Sequence, residues 1–173
     1  ALRAQVQWLI QTYRQPALVE EFIRGNEFTV TILGNEHPEV LPVVRIQING
    51  RNELGDLFYT FARIAEGVKY LCPAGIDPSL EKRLQELALA TYRAVGCRDF
   101  GRVDFRVDER GKPYVLEINA LPSLSTEDVF GILAQHLGLS YNAMIAKIVE
   151  AAIQRCGFKK TVRPQPFGSV IPS

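Results

Sequence analysis

Gly101-Arg-Val-Asp-Phe-Arg-Val107, followed by Asp108-Glu-Arg-Gly111 and Tyr114-Val-Leu-Glu-Ile-Asn119, is the stretch on which the reading of this chain turns. Two β-type runs flank a turn, and a two-residue turn at Arg110-Gly111 joins them as antiparallel strands. In that register Arg102 lies opposite Asn119, and Asp104 opposite Glu117. Side chains alternate between the faces of a strand. One face then collects Val103, Phe105, Val107, Tyr114, Leu116 and Ile118. The other collects Arg102, Asp104, Arg106, Glu117 and Asn119, with Val115. A one-residue slip would scramble this sorting, so the pattern itself argues for the register. The polar face gathers two carboxylates, an amide oxygen and a guanidinium. Hard oxygen ligands of this kind suit Mg²⁺, which takes one or two carboxylates plus substrate phosphates. The guanidinium can fork onto phosphate or carboxylate oxygens. An ordinary hairpin with a solvated face and cross-strand Arg–Glu pairs would carry the same residue types, and the spacing alone leaves both readings open.

Outward from the hairpin, residues 2–14 form a short helix ended before Pro16, and Leu18–Ile23 reads as a strand. Gly25-Asn26 signals a turn, Glu27–Leu33 a strand broken by Gly34-Asn35, and Val40–Ile48 a third strand. Residues 49–77 read as one long irregular segment, more often functional than filler. Pro78-Ser79 opens a helix to about Val95 with Gly96 past its end. After the hairpin, Ser125 with Asp128 three residues on starts a helix that ends at Gly138, and Ser140 caps another to about Arg155. Residues 156–173 read as a proline-containing tail.

Composition narrows the class. The chain has 173 residues, with 20 Lys+Arg against 19 Asp+Glu, a net charge of +1 that argues against a dedicated nucleic-acid binder. Hydrophobic residues at 47% and charged ones at 23% exclude a disordered chain. No apolar run approaches membrane-spanning length, and Arg3, Gln5 and Gln7 interrupt any signal-peptide core. Cys72, Cys97 and Cys156 are odd in number and form no CxxC pair, so neither a zinc site nor a disulfide framework is expected. A reducing cytoplasm is the simplest compartment, with no membrane partner. His37 and His136 read as surface or helix residues.

Several motifs occur in order along the chain: Val19-Glu-Glu-Phe-Ile-Arg-Gly-Asn-Glu-Phe-Thr-Val30, Phe58-Tyr59, Cys72-Pro-Ala-Gly75, Gly101-Arg-Val-Asp-Phe105 and Leu116-Glu-Ile-Asn119. From Pro16 to about Arg155 the chain resembles the C-terminal half of the D-alanine–D-alanine ligases of the ATP-grasp superfamily. The resemblance implies an α+β fold, a mostly antiparallel sheet with packed helices, over residues 1–155. It implies ATP-dependent ligation of a carboxylate to an amine through an acyl phosphate, with small amino-acid or peptide substrates. ATP and two Mg²⁺ ions, or Mn²⁺, would be the cofactors. Asp104 would bind one ion, Glu117 both, and Asn119 the second. Arg102 would sit on the transferred phosphate or the developing oxyanion. Glu20, Glu21, Phe22 and Ile23 would form the hinge that reads adenine, with backbone groups of Glu21 and Ile23 at its edge. Glu27 would accept from the ribose hydroxyls, Phe58 would pack near the nucleotide, and Leu116 or Phe105 would floor the base.

Three departures from that pattern carry expectations of their own. The motifs begin at the hinge, so the phosphate-clamping lysines and glycine loop would lie before residue 1, and the chain by itself is expected to bind ATP weakly and to catalyse nothing. A homodimer interface would lie largely in that missing part. After Phe58-Tyr59 the family's phosphate-reaching lysine is replaced by Thr60-Phe-Ala-Arg63 in a line about two residues shorter, leaving Arg63 or Lys69 to fill the role. After Asn119 the chain reads Ala120-Leu-Pro-Ser-Leu-Ser-Thr-Glu-Asp128. Ser123 stands where a glycine offers its N–H to the oxyanion. Ser125 and a helix N-terminus suit an acceptor carboxylate, but Glu127 and Asp128 place acid beside it. A substrate pair other than two D-alanines is the expectation.

Overall fold

The computed structural model describes residues 1–60 and 67–158. Its elements run α1 (Leu2–Tyr13), β1 (Gly25–Leu33), β2 (Glu39–Val40), β3 (Val44–Ile48), β4 (Val68–Leu71), α2 (Pro78–Ala94), β5 (Phe100–Asp108), β6 (Pro113–Asn119), α3 (Val129–His136) and α4 (Tyr141–Cys156). The strands form one sheet in the order β4-β3-β1-β5-β6, with β2 also paired to β1, and every pairing is antiparallel. This is the α+β architecture expected. No single helix among the described residues is long and apolar enough to cross a membrane.

Alternation along β1 and β5 builds two layers. Phe28, Val30 and Ile32, with Val103, Phe105 and Val107, bury one face against Leu84, Ala88 and Tyr92 of α2. Leu33 and Val44 on the other face pack under Phe130 and Leu133 of α3 and Met144 and Ile148 of α4. The helices cover only one end of that second face. At its other end the rungs Thr29↔Asp104 and Glu27↔Arg106 put polar side chains that no helix among the described residues covers.

Helix ends follow their capping residues. Asp77 accepts the Ser79 N–H at 2.8 Å ahead of α2, and Gly96 beyond it takes φ +65°. Ser140 accepts from Ala143 ahead of α4 at 3.1 Å. α1 ends where Arg14 turns left-handed, before Pro16, as expected.

Several expectations are corrected. Leu18–Ile23 forms no strand; it is largely exposed and pairs with no strand among the described residues. Gly25-Asn26 is not a turn but the start of β1: a Cβ on Gly25 would lie 1.9 Å from the Val107 carbonyl oxygen, so only glycine lets β1 approach β5 there. Val40–Ile48 divides into β2 and β3, since Pro42 cannot donate to a ladder. The long irregular segment contains β4, pinned to β3. The first helix after the hairpin begins three residues late: Asp128, not Ser125, is its N-cap and accepts the Val129 N–H at 2.7 Å. α4 runs through Cys156 to Gly157, so the expected tail starts later, and residues 159–173 lie outside the described residues.

The hairpin register holds where it matters but by a different route. Arg102↔Asn119 and Asp104↔Glu117 pair as expected. The turn, however, spans residues 109–111, closed by Asp108 N–H to Lys112 O at 3.0 Å and with Gly111 at φ +80°. A shift between Asp104 and Phe105 then restores the register, pairing Phe105 with Val115 and Arg106 with Tyr114. Tyr114 and Val115 thereby exchange the faces assigned to them, because the one-residue offset of the turn inverts the alternation until the bulge cancels it.

Candidate active site

The uncovered end of the sheet is a cleft of about 630 Å³ between residues 20–23, β1, β3–β4 and the β5–β6 hairpin. Of the residues expected to serve a site, Glu20, Glu21, Ile23, Glu27, Arg102, Asp104, Phe105, Leu116 and Glu117 line it. Thr29, Ile46, Tyr59, Tyr70 and Tyr114 line it as well, though none of them carried an expected site role.

At one end sits a carboxylate with four donors. Arg102 donates to both oxygens of Asp104, Nε to Oδ1 and Nη2 to Oδ2, each at 2.9 Å. Thr29 Oγ1 donates to Oδ1 at 2.6 Å and Asn119 Nδ2 to Oδ2 at 2.9 Å. The same Nδ2 donates to Glu117 Oε1 at 3.0 Å. An amide N–H₂ thus lies between two facing carboxylates and offsets part of their repulsion. Burial disfavours the charge on Arg102, but the Asp104 bridge, with Asp128 adding to it, more than compensates and raises its pKa. Tyr59 and Tyr70 bring their hydroxyls to 3.5 Å on the opposite wall. Burial raises the Tyr70 phenol, and the Tyr59 contact raises it further, so it stays a neutral donor.

At the other end Glu27 is almost fully buried and faces Arg106 across β1 and β5. Arg106 Nη1 donates to Glu27 Oε1 at 2.6 Å, Nη2 to the carbonyls of Gly55 and Leu57 at 2.7 and 2.8 Å, and Nε to the Ile23 carbonyl. The Tyr59 N–H donates to Glu27 Oε2 at 3.1 Å. Burial raises the Glu27 pKa, and the Arg106 charge and Tyr59 N–H pull it back only in part. Arg106 also lies 4.7 Å from the centre of the Phe22 ring, which meets Phe58 edge-on at 5.6 Å.

Phe22, Phe58 and Asn119 do not line the cleft: Phe22 and Phe58 are exposed, and Asn119 touches it through its Nδ2 bonds to Asp104 and Glu117. Ser123 does not line it; it is exposed, with its Oγ accepting the Ser125 N–H at 3.3 Å. Arg63 lies outside the described residues. Lys69 is exposed on β4, and alternation turns it to the face opposite its cleft-lining neighbour Tyr70. Among the described residues no three acidic, histidine or cysteine side chains gather as a metal cage.

Residues 1–150 match the family model described as the D-ala D-ala ligase C-terminus. The chain belongs to this family. As a member of the D-Ala–D-Ala ligase C-terminal family it is 36% identical over 152 residues to a D-alanine–D-alanine ligase of Pelotomaculum thermopropionicum, covering 88% of this chain and 46% of that protein. It is 40% identical over 156 residues to the uncharacterised protein y4sG of Sinorhizobium fredii, covering 89% and 46%. Among solved structures, the VanG D-Ala:D-Ser ligase of Enterococcus faecalis superposes with a TM-score of 0.68 at 28% identity, over 87% of this chain and 42% of that one. The D-alanine–D-alanine ligase of Bacillus anthracis complexed with ATP shares the fold, with a TM-score of 0.69 at 22% identity, over 90% and 48%. The chain spans about half the length of these family members.

Proposed function

We propose that this chain is the part of an ATP-dependent carboxylate–amine ligase that supplies the hinge, the metal-holding carboxylates and the oxyanion-facing arginine. The observation that carries the reading is the Arg102–Asp104–Asn119–Glu117 cluster at one end of a cleft whose other end is walled by Glu20, Glu21, Ile23 and Glu27. One substrate's carboxylate takes the γ-phosphoryl group of ATP, giving an acyl phosphate and ADP. The second substrate's amine attacks the acyl carbon, phosphate leaves, and the amine's proton is lost as the amide forms.

The residues present fit a hard divalent cation. Two carboxylates face each other with an amide beside them, and Asn119 now supplies the positive hydrogens between them. Asp104, Glu117 and Asn119 would hold Mg²⁺, or Mn²⁺ in its place, with phosphate oxygens completing the shell. The ion would neutralise the charge that accumulates as phosphate oxygens approach a carboxylate. Arg102, kept charged by its bridge, would face the transferred phosphate or the developing oxyanion. At the hinge the Ile23 carbonyl is held by Arg106, so the base edge would be read by the Ile23 N–H together with the Glu21 backbone, with Glu20 at the exocyclic amine. Leu116 would floor the base and Glu27 would take the ribose hydroxyls.

For the substrates, Glu127 and Asp128 beside the exposed Ser123–Ser125 turn favour a pair other than two D-alanines. A D-alanine–D-alanine ligase is the second reading, favoured by the family members of that name. The test is a screen of amino-acid pairs for Mg²⁺-dependent ADP release by the full-length protein. Release with one pair is expected; nucleotide binding without release for any pair would mark a non-catalytic nucleotide-binding module instead. Efficient dipeptide formation from D-alanine alone would decide for the second reading.

A further inference from the structure

Arg106 is a heavily engaged buried side chain to which the ligase reading gives no part beyond holding the Ile23 carbonyl. It is 3% exposed, and its single guanidinium donates to acceptors from separate stretches of chain: Ile23 of the hinge, Glu27 of β1, and Gly55 and Leu57 of the segment that carries Phe58 and Tyr59. Its flat face lies against Phe22, and Phe22 meets Phe58. The carboxylate it holds also receives the Tyr59 N–H. Ile23, Glu27, Gly55, Leu57 and Phe22 are therefore all tied to this one fork, which lysine cannot reproduce.

We propose that Arg106 is a positioning residue for the nucleotide's ribose, acting through Glu27. The inference rests on Glu27 as the ribose acceptor. A buried carboxylate without a partner would turn to another donor or take up a proton, and in either case would no longer present a fixed charged oxygen to two vicinal hydroxyls. Arg106 prevents both, and by fixing the Gly55 and Leu57 carbonyls it also keeps the Tyr59 N–H on the second oxygen. The pair thus leaves Glu27 oriented at the cleft wall with its remaining lone pairs toward the cleft.

The test compares ATP with 2′,3′-dideoxy-ATP, each with Mg²⁺, by calorimetric titration of the full-length protein. The wild type is expected to prefer ATP. R106M should weaken ATP by about tenfold or more and bring the two affinities close to equal. R106K, which keeps the charge but not the fork, should fall between. A purely structural arginine would lower both affinities together and keep their ratio. R106M with the wild-type ratio therefore overturns the proposal, and if R106M does not fold, an unchanged ratio in R106K does so. A wild type that binds both nucleotides equally, with E27Q no different, instead shows that the ribose assignment of Glu27 fails, and the proposal with it.

Discussion

Arg106 and Glu27 are cross-strand neighbours on β5 and β1 whose charged groups meet at 2.6 Å inside the protein, with less than a tenth of either side chain exposed. Removing one member of a buried pair leaves the other charged and unpartnered, which typically costs about 3–5 kcal/mol. R106M should lose about that much stability in urea unfolding. E27Q should lose less, because an amide still accepts from Arg106. The double variant R106M/E27Q should be more stable than the sum of the single effects predicts, and strict additivity would mean the two side chains do not act as a pair.

Asp104 is held by Arg102, Asn119 and Thr29, so two kinds of substitution should separate in size. E117Q and D104N remove a carboxylate from the cluster and should lower Mg²⁺-dependent turnover of the full-length protein by about a hundredfold or more. T29V only removes the 2.6 Å bond that orients Asp104 and should cost about tenfold. Measuring turnover against Mg²⁺ concentration checks the order. Equal losses in T29V and D104N would count against the proposed division between ligand and support.

Asp99 accepts two hydrogen bonds from Arg155, at 2.9 and 2.7 Å, and one from Asn35 at 3.0 Å, tying α4 to the start of β5. The Arg155 bond chiefly, and Asn35 after burial is overcome, hold its carboxyl below the usual range. A depressed carboxylate contributes stability that is full above its unfolded pKa, about 4, and lost as pH falls through the folded value. D99N should therefore melt lower than wild type at pH 7, and the gap should close on acidification below about pH 4. A gap independent of pH would contradict the charged partnership.

Gly25 and Gly111 both have positive φ, at +150° and +80°, but only Gly25 is hemmed in by backbone. G25A would drive a Cβ to 1.9 Å from the Val107 carbonyl and should forbid the first β1–β5 rungs, costing more than about 3 kcal/mol. At Gly111 nothing lies within 4 Å of the added carbon, so G111A pays only the left-handed strain, about 1 kcal/mol. Thermal melts of the two variants compare them directly.

The sequence by itself determined the β5–β6 hairpin, its polar face, both long helices and the glycine beyond the first of them. These rest on contacts between residues a few positions apart, where alternation, caps and turn chemistry act. It also determined the family, through motifs kept in order along the chain. The tertiary structure decided the partners across β1 and β5. Thr29 meets Asp104 and Glu27 meets Arg106 over separations of 75 and 79 residues, and no local pattern fixes such a register. That is why Glu27 was legible as a candidate for the cleft while its arginine partner was not. The same distance explains β4: a four-residue strand carries little pattern of its own and exists because β3 offers it a free edge. The hairpin shows both sides at once, its end register written in the alternation and its turn and bulge settled only by packing.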